Sequence, residues 1–121
     1  MHWIALAIFA AVVVAFLLYK RSRQIAQRDA RRYLQNGAMV IDVRSPGEFR
    51  SGHLPCAINL PLDQIETSLP PRVKDKDQPL LLHCHSGMRS GIAKRKLNAM
   101  GYANAFDLGS YGRAARIVDG K

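Results

Sequence analysis

A cysteine followed by a glycine and then an arginine, at the junction of an apolar run and a helical pattern, is where this chain could do chemistry. Residues 80–97 read LLLHCHSGMRSGIAKRKL, and the apolar run ends at Cys84. In a strand–turn–helix unit the first amides of the helix lack carbonyl partners. They face an incoming anion, and the helix dipole adds to the attraction. Gly87 allows the curvature that a nest of amides needs, and Arg89 adds a planar, permanent cation. The same field favours the thiolate of Cys84 over its thiol. His85, Ser86, Gly87, Met88 and Ser90 therefore read as a cradle around a nucleophilic sulfur, with Arg89 as a further contact for an anionic substrate. A strand-end cysteine without that company is more often a buried packing residue.

Two reactions use such a cradle. In one the sulfur attacks a phosphoryl group; in the other it accepts a sulfane sulfur and becomes a persulfide. Cys84 and Arg89 are separated by four residues, one fewer than in the tyrosine-phosphatase signature that His83-Cys84-x-x-Gly87 otherwise resembles. The shorter loop makes a tighter cradle, better suited to one terminal sulfur than to a tetrahedral oxyanion attacked at its centre. His83 and His85 flank Cys84 and invite a metal. Neighbouring strand residues point to opposite faces, so the three do not chelate one ion, and no metal or other cofactor is expected.

The elements that must hold this loop are legible around it. Residues 39–43 (MVIDV), 57–60 (AINL), 80–83 and 105–108 read as strands. Helices are expected at 29–36 with Asp29 as N-cap, for one turn at 48–51, at 63–69 with Pro70-Pro71 as its stop, at 90–100 and at 110–118. Strands alternating with helices predict an α/β domain with a central parallel sheet covered on both faces. In such a sheet ligands bind beyond the carboxyl ends of the strands, where Cys84 lies.

The stretch Cys84-His85-Ser86-Gly87-Met88-Arg89-Ser90 resembles the active-site loop of single-domain rhodaneses, the thiosulfate sulfurtransferases. Asp42-Val43-Arg44, Glu48-Phe49, Gly52-His53-Leu54-Pro55 and Ala57-Ile58-Asn59 resemble the family's upstream signature in order and spacing. The resemblance implies the rhodanese fold, with a persulfide on Cys84 and the anionic donor held by Arg89 and the amides of residues 85–90. It implies Asp42 and Arg44 as scaffold beside the loop, and Glu48 and His53 as supports of neighbouring loops. The implied cycle takes sulfur from thiosulfate or a similar donor and passes it to cyanide or a thiol acceptor, without a cofactor. The alternatives are a phosphatase or arsenate reductase on the same fold, or a non-catalytic rhodanese-like interaction module. Cys56 stands where the family usually has glycine; it reads as a small packing residue, or as a resolving thiol if it lies near Cys84. Ser110-Tyr111 and Ala114-Ala115-Arg116 also depart from the family pattern, in the C-terminal packing.

Residues 3–18 (WIALAIFAAVVVAFLL) form an unbroken apolar run, about 25 Å long as a helix and at the short end of what crosses a bilayer. Lys20, Arg21 and Arg23 follow it, whereas a signal peptide carries its positive charge in front. The expected layout is a transmembrane anchor over 1–19, a basic juxtamembrane linker over 20–28 and the rhodanese domain over 29–121. Lipid contact through residues 2–19 and the positive-inside rule then predict a single-pass protein of the bacterial inner membrane, with its domain in the cytoplasm. Much of the formal charge of +9 is local to residues 20–32, where six basic residues stand against Asp29 alone. Stacking aromatics are not interleaved with the basic residues, which argues against a nucleic-acid partner. The two cysteines are too few for a disulfide framework.

Overall fold

Leucines at 80, 81 and 82 set the layers of the molecule, because successive strand residues point to opposite faces. The computed structural model describes residues 1–120, with the backbone alone at 20–22. Leu80–His83 forms β3, next to β1 (Met39–Asp42), which in turn pairs with β2 (Ala57–Asn59); β4 (Ala105–Gly109) lies on the other side of β3. The order is β2-β1-β3-β4 and every pairing is parallel. Leu80 and Leu82 pack with Ile65 and Leu69 of α4 (Ile65–Arg72) and with Ala93 and Leu97 of α5 (Met88–Ala99). Leu81 faces the other way, toward Ala30 of α2 (Gln27–Gln35) and Ala114 and Ile117 of α6 (Tyr111–Asp119). Each fully buried leucine contributes roughly 2 kcal/mol of apolar burial, so the two faces together hold the sheet. The expected α/β architecture with a parallel central sheet is what the chain adopts.

Four details differ from the sequence expectation. First, α2 begins at Gln27, two residues before Asp29; Asp29 sits in its first turn and pairs with Arg32 at 3.1 Å. The entry is set from outside the helix, by the Ile25 amide donating to the Asp107 carbonyl at 2.9 Å. Second, Gln24 bridges to Asp107 as a parallel extension of the β4 edge, so two residues assigned to the linker belong to the sheet. Third, the single helical turn expected at 48–51 starts two residues earlier, as α3 (Pro46–Arg50). Ser45 and Glu48 form a capping box, with Pro46 at the first helical position. The S-x-x-E spacing and the proline were the available signals. Fourth, a 3₁₀ turn (Leu62–Gln64) precedes α4, which continues through Pro70 and Pro71 to Arg72. Proline keeps a helical φ, Ile65 and Leu69 anchor the helix in the core, and the Val73 amide closes on the Leu69 carbonyl at 2.9 Å.

The N-terminal apolar run lies in α1 (His2–Arg23). Its stretch His2–Tyr19 is long and apolar enough to cross a membrane, and none of it is buried against the domain. That exposure is unlike a core helix and fits a membrane anchor or a signal sequence. The side chains of Lys20 and Arg21, part of the basic flank, lie outside the described residues, as does Lys121.

Candidate functional site

The parallel register brings the strand ends together: Asp42 pairs with Asn59 on one side and His83 on the other. Cys84 follows β3 directly, and its amide donates to the Gly109 carbonyl at the end of β4, 3.2 Å away. The Cys84 thiol is fully buried. Its Sγ accepts the Gly87 amide at 3.0 Å and lies 3.6 Å from the Ser90 hydroxyl. The sulfur thus sits in the turn that opens α5, against the positive end of that helix.

Gly87 has φ +97°, a left-handed conformation that costs an L side chain about 1–2 kcal/mol. A Cβ there would also press on the Gly109 backbone at 3.4 Å. Gly109 is left-handed too, and a Cβ on it would come within 2.6 Å of the Gln24 amide nitrogen. The Gln24 side chain therefore lies over both glycines, a contact with the loop that a linker assignment hides.

The remaining loop residues take different positions. His85 is exposed, and its carbonyl accepts the Tyr111 amide at 3.1 Å. Ser86 bridges to Ser110. Met88 is the first residue of α5 and its side chain is exposed. Ser90 is buried and donates to Asp107 Oδ1 at 2.7 Å, so its one proton is directed away from the sulfur. Asp107, near the carboxyl end of β4, is not the solvated residue that an aspartate at a strand end usually is. It is instead buried, with Oδ1 also accepting the Gly109 amide at 2.8 Å. Burial pushes its carboxyl above the usual range, against the pull of Ser90 and Gly109. Its position in a strand flanked by apolar residues was the only sequence signal.

Arg89 reaches back across the loop to Glu48, donating to its two carboxylate oxygens at 2.7 and 3.0 Å. This bidentate bond, followed by the Ser45 amide, pulls the Glu48 carboxyl down to about 2. Glu48 in turn keeps the Arg89 guanidinium above its usual value. Both side chains are more than a third exposed, so the pair is screened and its worth to stability is small. Its local effect is to neutralise the arginine, which leaves the loop amides and the helix dipole as the uncompensated attraction for an anion.

Asp42 and Arg44 stand behind this arrangement. Asp42 is fully buried and accepts the Arg44 amide at 2.9 Å, Nε at 3.0 Å and a terminal nitrogen at 2.7 Å. Arg44 also donates to the Gly52 carbonyl at 2.8 Å and lies over the Tyr111 ring, 4.9 Å from its centroid. Tyr111, in the segment that departs from the family pattern, thereby links Arg44 to the His85 carbonyl. His83 is buried on the same face, edge-on to Tyr111, with Nε2 at 3.8 Å from Asp42. Burial lowers its pKa more than Asp42 raises it, so the imidazole is neutral and the contact is not an ion pair. His53 is exposed, with Nδ1 at 2.8 Å from the Phe49 carbonyl and its ring stacked on Phe49.

Cys56 does not belong to this site. It precedes β2, whose Ala57 is level with Leu81 through Val40, so Cys56 lies at the amino end of the sheet. Cys84 is four residues further along and two strands away, about 13 Å in one direction and about 10 Å in the other. A disulfide needs Cα atoms within about 7 Å, which removes the resolving-thiol reading.

The rhodanese-like domain family model matches residues 26–111, a span that holds the sheet, the Cys84 loop and α3. The chain belongs to the rhodanese family. Among curated rhodanese-family relatives, thiosulfate sulfurtransferase PspE of Escherichia coli is 36% identical over 69 residues, which cover 57% of this chain and 66% of that protein. Among solved structures, a rhodanese with anions from E. coli aligns with a TM-score of 0.61 and 32% identity, over 64% of this chain and 91% of the other. The human single-domain sulfurtransferase TSTD1 aligns at 0.67 and 25% identity, over 78% and 96%. The rhodanese resemblance carried by Cys84–Ser90 and the 42–59 signature is thus that of the whole domain.

Proposed function

We propose that this rhodanese is a sulfurtransferase that works through a Cys84 persulfide. The observation that carries the reading is the Gly87 amide directed at the fully buried Cys84 Sγ at 3.0 Å, at the head of a helix. In the first half-reaction the Cys84 thiolate attacks the sulfane sulfur of thiosulfate. A new S–S bond forms on Cys84, the S–S bond of thiosulfate breaks, and sulfite departs with the bonding electrons. In the second, cyanide or a thiolate attacks the outer sulfur, and Cys84 leaves as the thiolate. The amides of residues 85–90 hold the anionic donor and stabilise the terminal persulfide sulfur. Arg89 orders the rim of the loop through Glu48, while Asp42 and Arg44 brace it from behind. The likeness to a thiosulfate sulfurtransferase, PspE, and to a single-domain sulfurtransferase, TSTD1, supports this reading.

α1 is read as an anchor that places the domain on the cytoplasmic face of a bacterial inner membrane, in contact with lipid through residues 2–19. The decisive assay follows thiocyanate formation from thiosulfate and cyanide, with p-nitrophenyl phosphate in parallel and persulfide on Cys84 read by mass spectrometry. Sulfur transfer lost in Cys84→Ser supports the reading. Cys84-dependent phosphate release without sulfur transfer replaces it with the phosphatase, and inactivity in both assays without persulfide leaves an interaction module. A topology reporter fused after Lys121 that is active only outside the cytoplasm overturns the orientation.

A further inference from the structure

Apart from Met1 and the side chains of α1, Met88 is the one large apolar side chain left exposed among the described residues, at 70%. It directly follows Gly87, whose amide contacts Cys84 Sγ. What lies beside it is the end of the apolar helix. A groove of about 310 Å³ separates α1 from α5, with Phe16 and Tyr19 on one wall and Met88 and Ile92 on the other. Arg23 and Arg95 also line it. Arg95 is exposed and makes no ion pair among the described residues, and Arg23 lies over the Tyr19 ring at 4.9 Å. Asp107 reaches the inner wall, but it is buried and answered by Ser90 and Gly109, with Lys94 and Arg113 as the nearby cations.

We infer that this groove is a phospholipid site. One anionic lipid of the bilayer that α1 enters lays its acyl end along Phe16, Met88 and Ile92 and sets its phosphate against Arg23 and Arg95. This rests on the anchor reading of α1. Three observations place the groove at the right height. α1 continues unbroken to Arg23, and Gln24 and Ile25 pair at once with the β4 edge, so there is no free linker. Lys94 Nζ adds a tie to the Arg23 carbonyl at 3.5 Å. From Tyr19 to Arg23 the helix rises about 6 Å, comparable to a headgroup layer of roughly 5–7 Å. The span His2–Tyr19 has 18 residues, about 27 Å against a hydrocarbon thickness of about 30 Å. A short span draws its flanks toward the bilayer. Anionic lipid adds a pull of about five-fold in affinity for each basic residue at the surface. The mouth of the Cys84 loop is then held in the headgroup layer.

The test uses the full chain in vesicles of phosphatidylcholine with and without phosphatidylglycerol. A spin label is placed at position 88 (Met88→Cys) or, as control, in the loop at the far end of the sheet (Lys74→Cys), both in the Cys56→Ser, Cys84→Ser background. The expected result is that the label at 88 is shielded from a water-soluble nickel chelate in anionic vesicles, while the label at 74 is not. The double change Arg23→Glu, Arg95→Glu is expected to return the label at 88 to water. A chain that floats with anionic vesicles, yet whose label at 88 is as wet as that at 74, overturns the groove and leaves the anchor standing. A chain that does not float overturns both. Shielding that occurs only in native membranes assigns the groove to a membrane protein and overturns the lipid. The thiocyanate assay on the unlabelled wild type decides the sulfur chemistry separately.

Discussion

The two cysteines sit at opposite ends of one parallel sheet, and their surroundings differ as much as their positions. Cys84, beyond the carboxyl end of β3, is buried under the Gly87 amide at the head of α5. Cys56, before the amino end of β2, is exposed, and partial burial together with the Asp119 carboxylate pushes its thiol up. Parallel strands send all their carboxyl ends one way. Helix N-termini therefore collect at that end, and there the Cys84 sulfur faces the Gly87 amide at the head of α5. Residue type alone does not separate the two thiols; their place along the strand does.

The sharpest way to break this contrast is to exchange each thiol for a hydroxyl. Cys84→Ser is expected to lower thiocyanate formation by about a thousand-fold or more, as removal of a covalent nucleophile does. Cys56→Ser is expected to stay within about two-fold of wild type. Comparable losses in the two variants would place Cys56 in the mechanism.

The left-handed glycines offer a second test. Gly37, at the amino end, has φ +90° and open space around its Cα, whereas Gly87 is left-handed and crowded. Each glycine-to-alanine change is expected to cost about 1–2 kcal/mol in urea unfolding. Only Gly87→Ala is expected to lower kcat as well, by about ten-fold or more, because it moves an amide aimed at the sulfur. Equal kcat values in the two variants would show that the Gly87 amide does not act on the reaction.

Glu48→Gln frees the Arg89 charge. The expected result is a KM for thiosulfate about two- to five-fold lower, the size of a screened ion pair. An unchanged KM would mean that Arg89 does not face the donor. The Glu48 carboxyl is depressed in the fold, so the pair's contribution is complete above the unfolded value of about 4.3. It is lost as pH falls toward about 2. The substitution should therefore leave the pH dependence of stability unchanged above about pH 5.

His83 gives the smallest effect. Its pKa is lowered in the fold, so the unfolded chain binds a proton that the native state resists, and stability falls as pH drops below about 6.5. His83→Gln should flatten that slope between neutral pH and about pH 5. An unaltered slope in thermal melts would locate the sensitive group elsewhere.

Much of the site could be read before the fold was known. The Cys84 loop, its four-residue spacing to Arg89, and the strands and helix that frame it rest on contiguous patterns: apolar runs, helical spacing, a turn glycine. The capping box at Ser45 and Glu48 is written in the same local code. Asp107 and Gln24 were not accessible in that way. Neither carries a local signal for a partner; both act on the loop through contacts with residues remote in the chain.

By itself the sequence determined the order of the elements, the parallel α/β layout and the chemical character of the Cys84 loop. Backbone propensity and hydrophobic period act over a few residues, and those are written consecutively. Tertiary structure alone decided that Glu48 takes Arg89 from 41 residues away and that Asp107 holds the Ser90 proton across 17. It also decided that Cys56 stands at the wrong end of the sheet and that Met88 faces the apolar helix. Those outcomes follow from the register of parallel strands, which is set by packing two faces at once and by no short segment alone.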